Sequence, residues 1–438
     1  MKLQVYQNVL NRLGAIIYDS EFRLHVYSVG GCERDRLLGN DIKDIDLVVD
    51  IENGGIKLAN WLYENGYLQY APVTYENYGT AMFHLKDFPD IELEAVQTRK
   101  ESYRDMTTRN PETAYGTIQE DCKRRDFTMN ALYRTIGTDE LHDFTGRSLQ
   151  DIDAQIIRSC DNPDIIFKED PLRILRAIRF SCRLGWKIEE ETYDKMEKNS
   201  YRLEIISQER ITDEFNKIVT SRNAESGLRT MRSINALKFV SPQLGSLSNE
   251  EFEWALSSMR LINTMGYGDT SLEQRVAILF MKTTLPEIAM REMKYSNDLI
   301  KTIMTIIREV PIVQGLGDKY YTINPVEVRR QQYRIGDSEL HAKIVMVAHS
   351  INNRDCLAIR KNMQAIHVMS WLIRLLREGQ DCYRYKLPVD GEDVMKLKGI
   401  GPCRAIKKYL DYLLETAFTN PRISRDDCIA LLSKVNFE

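Results

Sequence analysis

Short stretches of alternating apolar and polar residues near the N-terminus predict β-strands. Each is rich in Val, Ile or Phe and is bounded by Gly, Pro, Asn or Asp. They cover residues 23–30, 44–50, 80–85 and 91–96. From about residue 165 onward, apolar residues recur at the three-to-four spacing that predicts helices. The clearest helical stretches are 171–184, 208–219, 272–282, 365–378 and 404–418. We therefore expect an α+β fold, in which a mixed α/β segment is followed by a long all-helical remainder.

The composition is that of an ordinary globular protein. Of the 438 residues, 43% are hydrophobic and 28% are charged, and no apolar run reaches the roughly 18 residues of a membrane-spanning helix. The first residues lack the basic, apolar and cleavage segments of a signal peptide, so we expect a cytoplasmic protein. The chain is too long for one ordinary core. Breaks between domains are predicted near 241–249 and 377–392.

The distribution of Cys and His disfavours a zinc site or a disulfide framework. The eight cysteines form no C-x-x-C pair, and the six histidines show no H-x-x-x-H spacing. A bound metal ion would therefore need oxygen ligands. The net charge of −4 argues weakly against indiscriminate nucleic-acid binding, but it leaves room for a local basic patch.

Paired carboxylates occur in two of the predicted strands. In DIDLVVD, the strand period of two places Asp44 and Asp46 on one face. Adjacent like charges repel, so this arrangement is destabilising unless a cation lies between them. In IELEAV, Glu92 and Glu94 share a face in the same way, and one of them could supply a third oxygen ligand. A solvated strand face would explain the same residues, so both interpretations stay open for these segments alone.

A Gly-Gly turn precedes the first carboxylates. Gly30 and Gly31 would allow the backbone to approach a ligand closely at a strand-to-helix turn, where free N–H groups suit phosphate. The segment matches neither G-x-x-x-x-G-K-[ST] nor G-x-G-x-x-G, and a plain turn would also use two glycines. Joined to the carboxylate pair one element later, the turn indicates nucleoside triphosphate chemistry.

Two later segments place arginines beside aspartate. CKRRDFTMNALY contains Arg124 and Arg125, which a merely solvated face would also explain. In KEDPLRILRAIRF, Asp170 is the predicted N-cap of a helix and Pro171 its first residue. The arginines that follow share one arc of this helix and repel one another, so we expect an anionic partner such as a triphosphate or a nucleic-acid backbone. They are Arg173, Arg176, Arg179 and Arg183.

Taken together, these motifs resemble those of the class II tRNA nucleotidyltransferases, the CCA-adding enzymes, which are related to bacterial poly(A) polymerases. The family's G-G-x-V-R-D-x-L-L-G and D-x-D correspond to GGCERDRLLGNDIKDID, and its R-R-D-F-T-x-N-A corresponds to RRDFTMNA. Its connector D-P-x-x-G-x-x-D-L resembles DFTGRSLQDI. Its E-D-x-x-R and E-R-I-x-x-E correspond to EDPLRILRAIRF and ERITDEF. The motifs stand in the family's order over residues 28–215.

The resemblance implies a domain order and an activity. It implies a nucleotidyltransferase head with a small mixed sheet over residues 1–145 and a nucleobase-selecting helical neck over 146–240. A helical body over 241–375 and a tRNA-binding tail over 376–438 would follow. The implied reaction is template-independent, Mg²⁺-dependent addition of CCA to the 3′ end of tRNA from CTP and ATP, with release of pyrophosphate. The tRNA would be bound at its 3′ end and along its acceptor and elbow region.

The resemblance also implies roles for single residues. Asp44 and Asp46 would hold the catalytic Mg²⁺ ions, and Glu94 would be a third catalytic carboxylate. The implied nucleotide-binding residues are Gly31, Arg34, Arg124, Arg125, Asp170, Arg173, Arg176 and Arg179. Of these, Asp170 and Arg173 would read the Watson–Crick edge of CTP or ATP, with Glu169 orienting the arginine.

This chain departs from the family motifs in two places, and it lacks a domain that some family members carry. Glu33 stands where an apolar residue is usual, so its side chain is expected to point away from the phosphate turn. Asp143 is followed by Phe rather than Pro. The histidine and aspartate set of an HD phosphohydrolase domain is missing from the sequence, so no such activity is expected.

Three alternative functions are less compatible with the sequence than CCA addition. A poly(A) polymerase is disfavoured because residues 76–85 are not basic. Addition of only CC or only A is disfavoured because residues 104–121 resemble the full flexible loop of CCA-adding enzymes. A non-catalytic RNA-binding protein is disfavoured because Asp44, Asp46, Asp170 and Arg173 are all present.

Overall fold

The computed structural model describes residues 1–76, 79–102, 112–264, 271–318, 324–351 and 368–437. The chain forms two compact units, Met1–Val240 and Ser241–Glu438. The domain boundaries expected from the sequence stay predictions. The first part of the 104–121 loop and part of the 76–85 stretch lie outside the described residues. No helix in the described ranges is both long and apolar enough to cross a membrane.

The N-terminal part of the first unit combines short helices with a mixed sheet. Its helices are α1 (Leu3–Ile16), α2 (Gly31–Leu37), α3 (Gly54–Glu64), α4 (Ile118–Lys123) and α5 (Ser148–Asp153). Its strands are β1 (Val26–Val29), β2 (Ile45–Val49), β3 (Val73–Tyr75), β4 (Thr80–His84), β5 (Glu92–Gln97), β6 (Arg99–Ser102), β7 (Glu112–Tyr115), β8 (Leu132–Thr135) and β9 (Leu141–Asp143). The four strands predicted from the sequence are confirmed as β1, β2, β4 and β5.

Seven of these strands form one sheet in the order β3-β4-β5-β2-β1-β8-β9. β2 and β5 are parallel, and the other neighbouring pairs are antiparallel. β6 and β7 pair separately. The parallel pair at the centre of the sheet places the two predicted carboxylate strands side by side.

The two faces of the sheet have different environments. Along β2, Ile45, Leu47 and Val49 are buried in a core that α1 and α3 complete with residues such as Tyr6 and Leu58. Asp46 lies between these residues in sequence and therefore faces the other side of the sheet. The alternation that predicted a strand also directs a carboxylate away from the core.

Helices dominate the rest of the first unit. They are α6 (Pro163–Glu169), α7 (Leu172–Leu184), α8 (Glu190–Asn199), α9 (Gln208–Val219), α10 (Ala224–Ser233) and α11 (Leu237–Val240). Two short strands, β10 (Ile156–Ile157) and β11 (Lys187–Ile188), pair in parallel. Helix α7 packs against α9 and α10. It ends at Gly185, which has a φ of 75° and caps the helix in the left-handed conformation.

The described residues of the second unit form helices joined by turns and loops, with no strand among them. Its helices are α12 (Pro242–Gly245), α13 (Asn249–Thr264), α14 (Leu272–Phe280), α15 (Pro286–Glu292), α16 (Asn297–Asp318), α17 (Pro325–Ile335), α18 (Ser338–Ser350), α19 (368–377), α20 (Gly391–Lys398), α21 (Arg404–Thr419) and α22 (Arg425–Ser433). Buried polar residues connect them. Arg329 donates to the backbone oxygen of Phe418 at 2.9 Å, and His341 Nδ1 lies 2.9 Å from the Tyr383 hydroxyl. The predicted α+β fold with a helical C-terminal part is confirmed.

Candidate active site

Two of the predicted carboxylates are neighbours on the open face of the sheet. Asp46 on β2 lies opposite Glu94 on β5 in the parallel register, and both residues are exposed on that face. Asp44 precedes β2, and its side chain is 72% exposed. The sheet therefore brings together Asp46 and Glu94 from segments about 48 residues apart in sequence, at the usual strand spacing of roughly 4.8 Å.

The electrostatics of Asp46 reflect this crowding of negative charge. Although the residue is exposed, its carboxylate lies in a cavity where protein limits its solvation, and this raises the pKa of Asp46 to about 6. The charges of Glu94 and Asp44 act in the same direction, whereas Arg125 acts in the opposite one. A bound cation would relieve the same repulsion.

The donor chemistry of this face fits a hard divalent cation. Carboxylate oxygens are the ligands that Mg²⁺ takes from proteins, commonly one or two of them together with substrate phosphates and water. Among the described residues, no group of three or more His, Cys, Asp or Glu side chains is arranged to hold an ion by itself. Asp46 and Glu94, with Asp44 nearby, thus fit an ion whose coordination a phosphate-bearing substrate completes.

The Gly-Gly turn lies directly beside Asp46. Gly30 has a φ of 90°, and a Cβ at this position would lie 3.5 Å from Asp46 Oδ2 and 4.0 Å from Arg125 Nη1. Any side chain there would be strained by the positive φ and would contact both the carboxylate and the guanidinium. Gly31 is the first residue of α2. The turn therefore leaves open space where a carboxylate and an arginine meet.

Arg34 is placed differently from the triphosphate contact that the resemblance implies. Its side chain is only 2% exposed. Its guanidinium donates to Asp35 at 2.9 Å and to Asn130 at 2.6 Å. In this arrangement Arg34 joins α2 to the RRDFTMNA segment. A contact between Arg34 and a nucleotide stays a prediction.

Glu33 points away from the cavity face, as expected. Its carboxylate accepts hydrogen bonds from the Tyr6 hydroxyl at 2.7 Å, from the Ser28 hydroxyl and from Arg134 Nε at 2.8 Å. The sequence indicated the direction of the side chain but gave no indication of its partners, which come from α1, β1 and β8.

The two arginines of the RRDFTMNA segment share one buried partner that the sequence analysis missed. Asp121 accepts from Arg124 at 3.0 Å, from Arg125 at 3.2 Å and from the Tyr133 hydroxyl at 2.7 Å. Burial alone would raise the pKa of Asp121, but Arg125 and Arg124 outweigh it and lower the pKa. The spacing of three and four residues on one helical turn could have revealed this partner.

Asp170 and Arg173 lie at the junction of α6 and α7. The Asp170 carboxylate accepts from the backbone N–H of Leu172 at 3.1 Å and from Arg210 at 3.1 Å. Helix α7 nevertheless begins at Leu172 with Pro171 as its N-cap, and Asp170 is the C-cap of α6. The prediction of Asp170 as N-cap and Pro171 as first helical residue is therefore wrong by one position. Arg173 is buried and donates to Glu169 at 3.3 Å and to the backbone oxygen of Arg124 at 2.6 Å. The expected pairing of Glu169 with Arg173 is therefore present.

The remaining arginines of α7 have carboxylate partners within the protein. Arg176 donates to Asp126 at 3.0 Å, Arg179 donates to Glu214 at 2.6 Å, and Arg183 lies 3.5 Å from Asp35. Burial would raise the pKa of Asp126, but Arg176 outweighs it and lowers the pKa to about 2. The mutual repulsion of these arginines does require anions. Carboxylates of the protein supply them in the structure, so repulsion alone does not indicate a nucleotide.

A cavity of about 850 Å³ brings the carboxylates and several arginines together. Its lining includes Asp46 and Glu94 from the sheet, and Arg99, Arg124, Arg125 and Arg176 around it. Carboxylates that suit a divalent cation and guanidinium groups that suit phosphate thus share one space of the size of a small-molecule site.

Comparison with known proteins agrees with this geometry. Residues 26–158 match the "Poly A polymerase head domain" family, and residues 185–247 match the family described as "Probable RNA and SrmB-binding site of polymerase A". A CCA-adding enzyme of Enterococcus faecalis is 31% identical over 315 residues, which cover 70% of this chain and 72% of that protein.

Solved structures share the fold over nearly the whole chain. The Bacillus stearothermophilus CCA-adding enzyme in complex with CTP has a TM-score of 0.74 at 19% identity and covers 99% of this chain and 98% of its own. The Thermotoga maritima CCA-adding enzyme complexed with tRNA has a TM-score of 0.66 at 21% identity, with coverages of 99% and 95%.

The fold and the site define a nucleotidyltransferase of the polymerase-head type, built on a sheet that presents paired carboxylates to an arginine-lined cavity. The chain belongs to the CCA-adding enzyme family of tRNA nucleotidyltransferases. As a family member it is expected to require a divalent metal ion.

Proposed function

We propose that this protein adds CCA to the 3′ end of tRNA from CTP and ATP, with Mg²⁺ as its metal ion and pyrophosphate as its second product. The observation that carries the proposal is the pairing of Asp46 with Glu94 inside the arginine-lined cavity. Membership of the CCA-adding family supplies the substrate class. A cytoplasmic location is part of the same proposal.

Different residues of the cavity would bind the metal ion and the triphosphate during nucleotidyl transfer. Asp46 and Glu94, with Asp44 at the edge, would hold the ion. Bound there, Mg²⁺ would neutralise charge on the reacting phosphate and on the leaving pyrophosphate. Arg125 and Arg176 line the same space and would bind the triphosphate oxygens. Asp121 and Asp126 keep these two guanidinium groups in place.

Nucleobase selection is assigned to Asp170 and Arg173. Glu169 and the backbone oxygen of Arg124 fix the Arg173 guanidinium, so its donors are preorganised. The second oxygen of Asp170 accepts from Arg210. An incoming base would share or replace that contact when it pairs with the carboxylate. The close link between Arg173 and Arg124 couples the base-selecting helix to the segment that borders the cavity.

The tail helices are the proposed contact with the tRNA elbow. Helix α21 begins at Arg404 after a turn that contains Gly399 and Gly401, and Lys407 and Lys408 are exposed in its first turns. Such a basic surface suits an RNA backbone. The acceptor region would reach the cavity through its single-stranded 3′ end.

One assay tests the proposal and its alternatives. The purified protein is incubated with Mg²⁺ and with tRNAs that end in the discriminator base, in C or in CC, each with a single labelled nucleotide. Complete CCA addition predicts incorporation of CTP on the first two tRNAs and of ATP on the third. Incorporation of CTP alone, or of ATP alone, would identify a partial enzyme. Long ATP-dependent tails on all three would identify a poly(A) polymerase.

A further inference from the structure

The sheet face that presents the carboxylates continues beyond them to the edge of the sheet. Asp46 lies opposite Glu94, Glu94 lies opposite Met82 on β4, and Met82 lies opposite Val73 on β3. Paired residues on neighbouring strands point to the same face. A row of side chains therefore runs from the metal-type carboxylates to the edge strand, over about 14 Å at the usual strand spacing.

The next row along the strands ends in an aromatic ring. Val48, Val96 and Thr80 follow one another across β2, β5 and β4, and Thr80 lies opposite Tyr75 on β3. Tyr75, Thr80 and Met82 line the same cavity as Asp46 and Glu94. We call these three residues the outer shelf. Tyr75 is 46% exposed, so part of an aromatic residue is accessible at this end of the cavity.

The two ends of the cavity differ in chemistry. Arg125 belongs to the segment before β8 and approaches Asp46 from the side of Gly30, whereas the outer shelf lies across β5 and β4 from Asp46. The end of the cavity at Arg125, which we call the arginine end, suits the highly charged triphosphate. The shelf has an aromatic ring, a thioether and a hydroxyl, and no charge of its own. Such a surface suits an uncharged, flat group.

We propose that the outer shelf binds the terminal nucleobase of the RNA 3′ end, with Tyr75 stacking on that base. The proposal rests on the proposed function, because nucleotidyl transfer brings two nucleotides to the carboxylates. The triphosphate of one takes the arginine end, which leaves the shelf for the base that carries the attacking 3′-hydroxyl. Stacking on an aromatic side chain is tolerant of base identity. It therefore suits an end that changes from the discriminator base to C and then to a second C.

The test is a double-mutant cycle in which Tyr75 and the terminal base of the tRNA are each removed, alone and together. Wild-type protein and Tyr75→Ala are each assayed for ATP addition to a tRNA ending in CC and to the same tRNA with an abasic last nucleotide. The expected result is that Tyr75→Ala lowers kcat/KM about tenfold on the normal end, as for loss of one stacked base, and less than twofold on the abasic end. The KM for ATP is expected to change less than twofold.

Two further variants separate stacking from general damage. Tyr75→Phe keeps the aromatic ring. Its kcat/KM on the normal end and on the abasic end is therefore expected to match that of the wild-type protein. Tyr70→Ala removes another exposed tyrosine, 66% exposed and outside the cavity lining, and is expected to leave both ends unchanged. Equal losses on the normal and the abasic end, no loss on either, or a rise confined to the KM for ATP would each overturn the proposal. A wild-type protein that adds no nucleotide to any tRNA would instead overturn the proposed function.

Discussion

The Glu33 carboxylate accepts a 2.8 Å hydrogen bond from Nε of Arg134, which lies 101 residues further along the chain. Glu33 is fully buried, and the same Arg134 donates to the backbone oxygen of Asp139 at 2.8 Å. Tyr6 on α1 and Ser28 on β1 complete the acceptor sites of the carboxylate. The residue that departs from the family pattern therefore ties the Gly-Gly turn and α2 to three other elements of the head.

Replacing Glu33 with the apolar residue that is usual in the family is expected to destabilise this protein. Glu33→Val would remove the buried carboxylate from Arg134, which would keep only the longer 3.7 Å ion pair with the half-exposed Asp139, and breaking a buried pair costs about 3 kcal/mol or more. Urea unfolding measures the loss. Glu33→Gln, which keeps a hydrogen-bond acceptor, is expected to lose about half as much.

A double substitution separates the ion pair from the volume of the side chain. Glu33→Val combined with Arg134→Met removes both charges, and it is expected to be more stable than Glu33→Val alone because no buried charge stays unpaired. If the urea midpoint of unfolding of Glu33→Val equals that of the wild-type protein, the hydrogen bonds to Glu33 have no stabilising role.

Loss of the paired carboxylates is expected to abolish catalysis without loss of RNA binding. Asp46→Ala should lower the rate of nucleotide addition by about a thousandfold or more, because the metal ion supplies several kcal/mol of transition-state stabilisation. Single-turnover addition of ATP to a tRNA ending in CC measures the rate, and a filter-binding assay measures tRNA affinity.

The matched control for this site lies two residues from Glu94 on the same strand. Glu94→Gln is expected to slow addition strongly, whereas Glu92→Gln should act near the wild-type rate, because Glu92 lies opposite His84 rather than Asp46 or Met82. Retained Mg²⁺-dependent incorporation by Asp46→Ala would contradict the metal assignment.

The sequence predicted the strands that carry the carboxylates because their pattern is local. Alternation of Ile45, Leu47 and Val49 with Asp46 is enough to place a strand and to assign its two faces. The sequence alone could not reveal that β2 and β5 are parallel neighbours, because strand order depends on contacts between distant segments. Strand β3 is only three residues long, with two exposed side chains, so it has no apolar face that a pattern could detect.

For the arginines, the sequence predicts that anionic partners exist but does not identify them. Their positions on one arc of α7 correctly required anions, but Asp126, Glu214 and Asp35 come from elsewhere in the chain. Two partners were within local reach: Asp121, three and four residues before Arg124 and Arg125, and Glu169, four residues before Arg173. A count of charges on one helix therefore predicts that partners exist and does not say whether they belong to the protein or to a ligand.

Substitution of Arg173 is expected to weaken the choice between nucleotides. Arg173→Ala removes the donors proposed to face the base, and one well-placed pair is worth about 1–3 kcal/mol of discrimination. Preference for CTP over UTP on a tRNA ending in C should therefore fall about tenfold or more, while tRNA affinity stays within about twofold. Competition between labelled CTP and UTP measures this preference.

Arg183→Ala is the control on the same helix. Its side chain is 48% exposed and its ion pair with Asp35 is long, at 3.5 Å, so nucleotide preference should not change. An unchanged preference in Arg173→Ala would remove this residue from base selection.

The second unit is expected to lose stability as the pH falls below about 6.5, because His341 is held neutral. Burial, together with Arg334, lowers the pKa of His341 to about 3 from its ordinary value near 6.5. Between these two values the unfolded chain binds a proton that the folded chain does not. The stability contributed by neutral His341 is therefore fully present above about pH 6.5, and it declines by at most about 1.4 kcal/mol for each pH unit below it.

Urea unfolding of wild type and His341→Gln at pH 7.5, 6.5 and 5.5 isolates this contribution as the difference in unfolding free energy between the two proteins. The difference is expected to be constant above pH 7 and to shift in favour of the variant at lower pH, whereas His25→Gln, at an exposed position of the first unit, serves as the surface comparison. A difference between wild type and His341→Gln that does not vary with pH would show that the folded protein accepts the proton as readily as the unfolded chain.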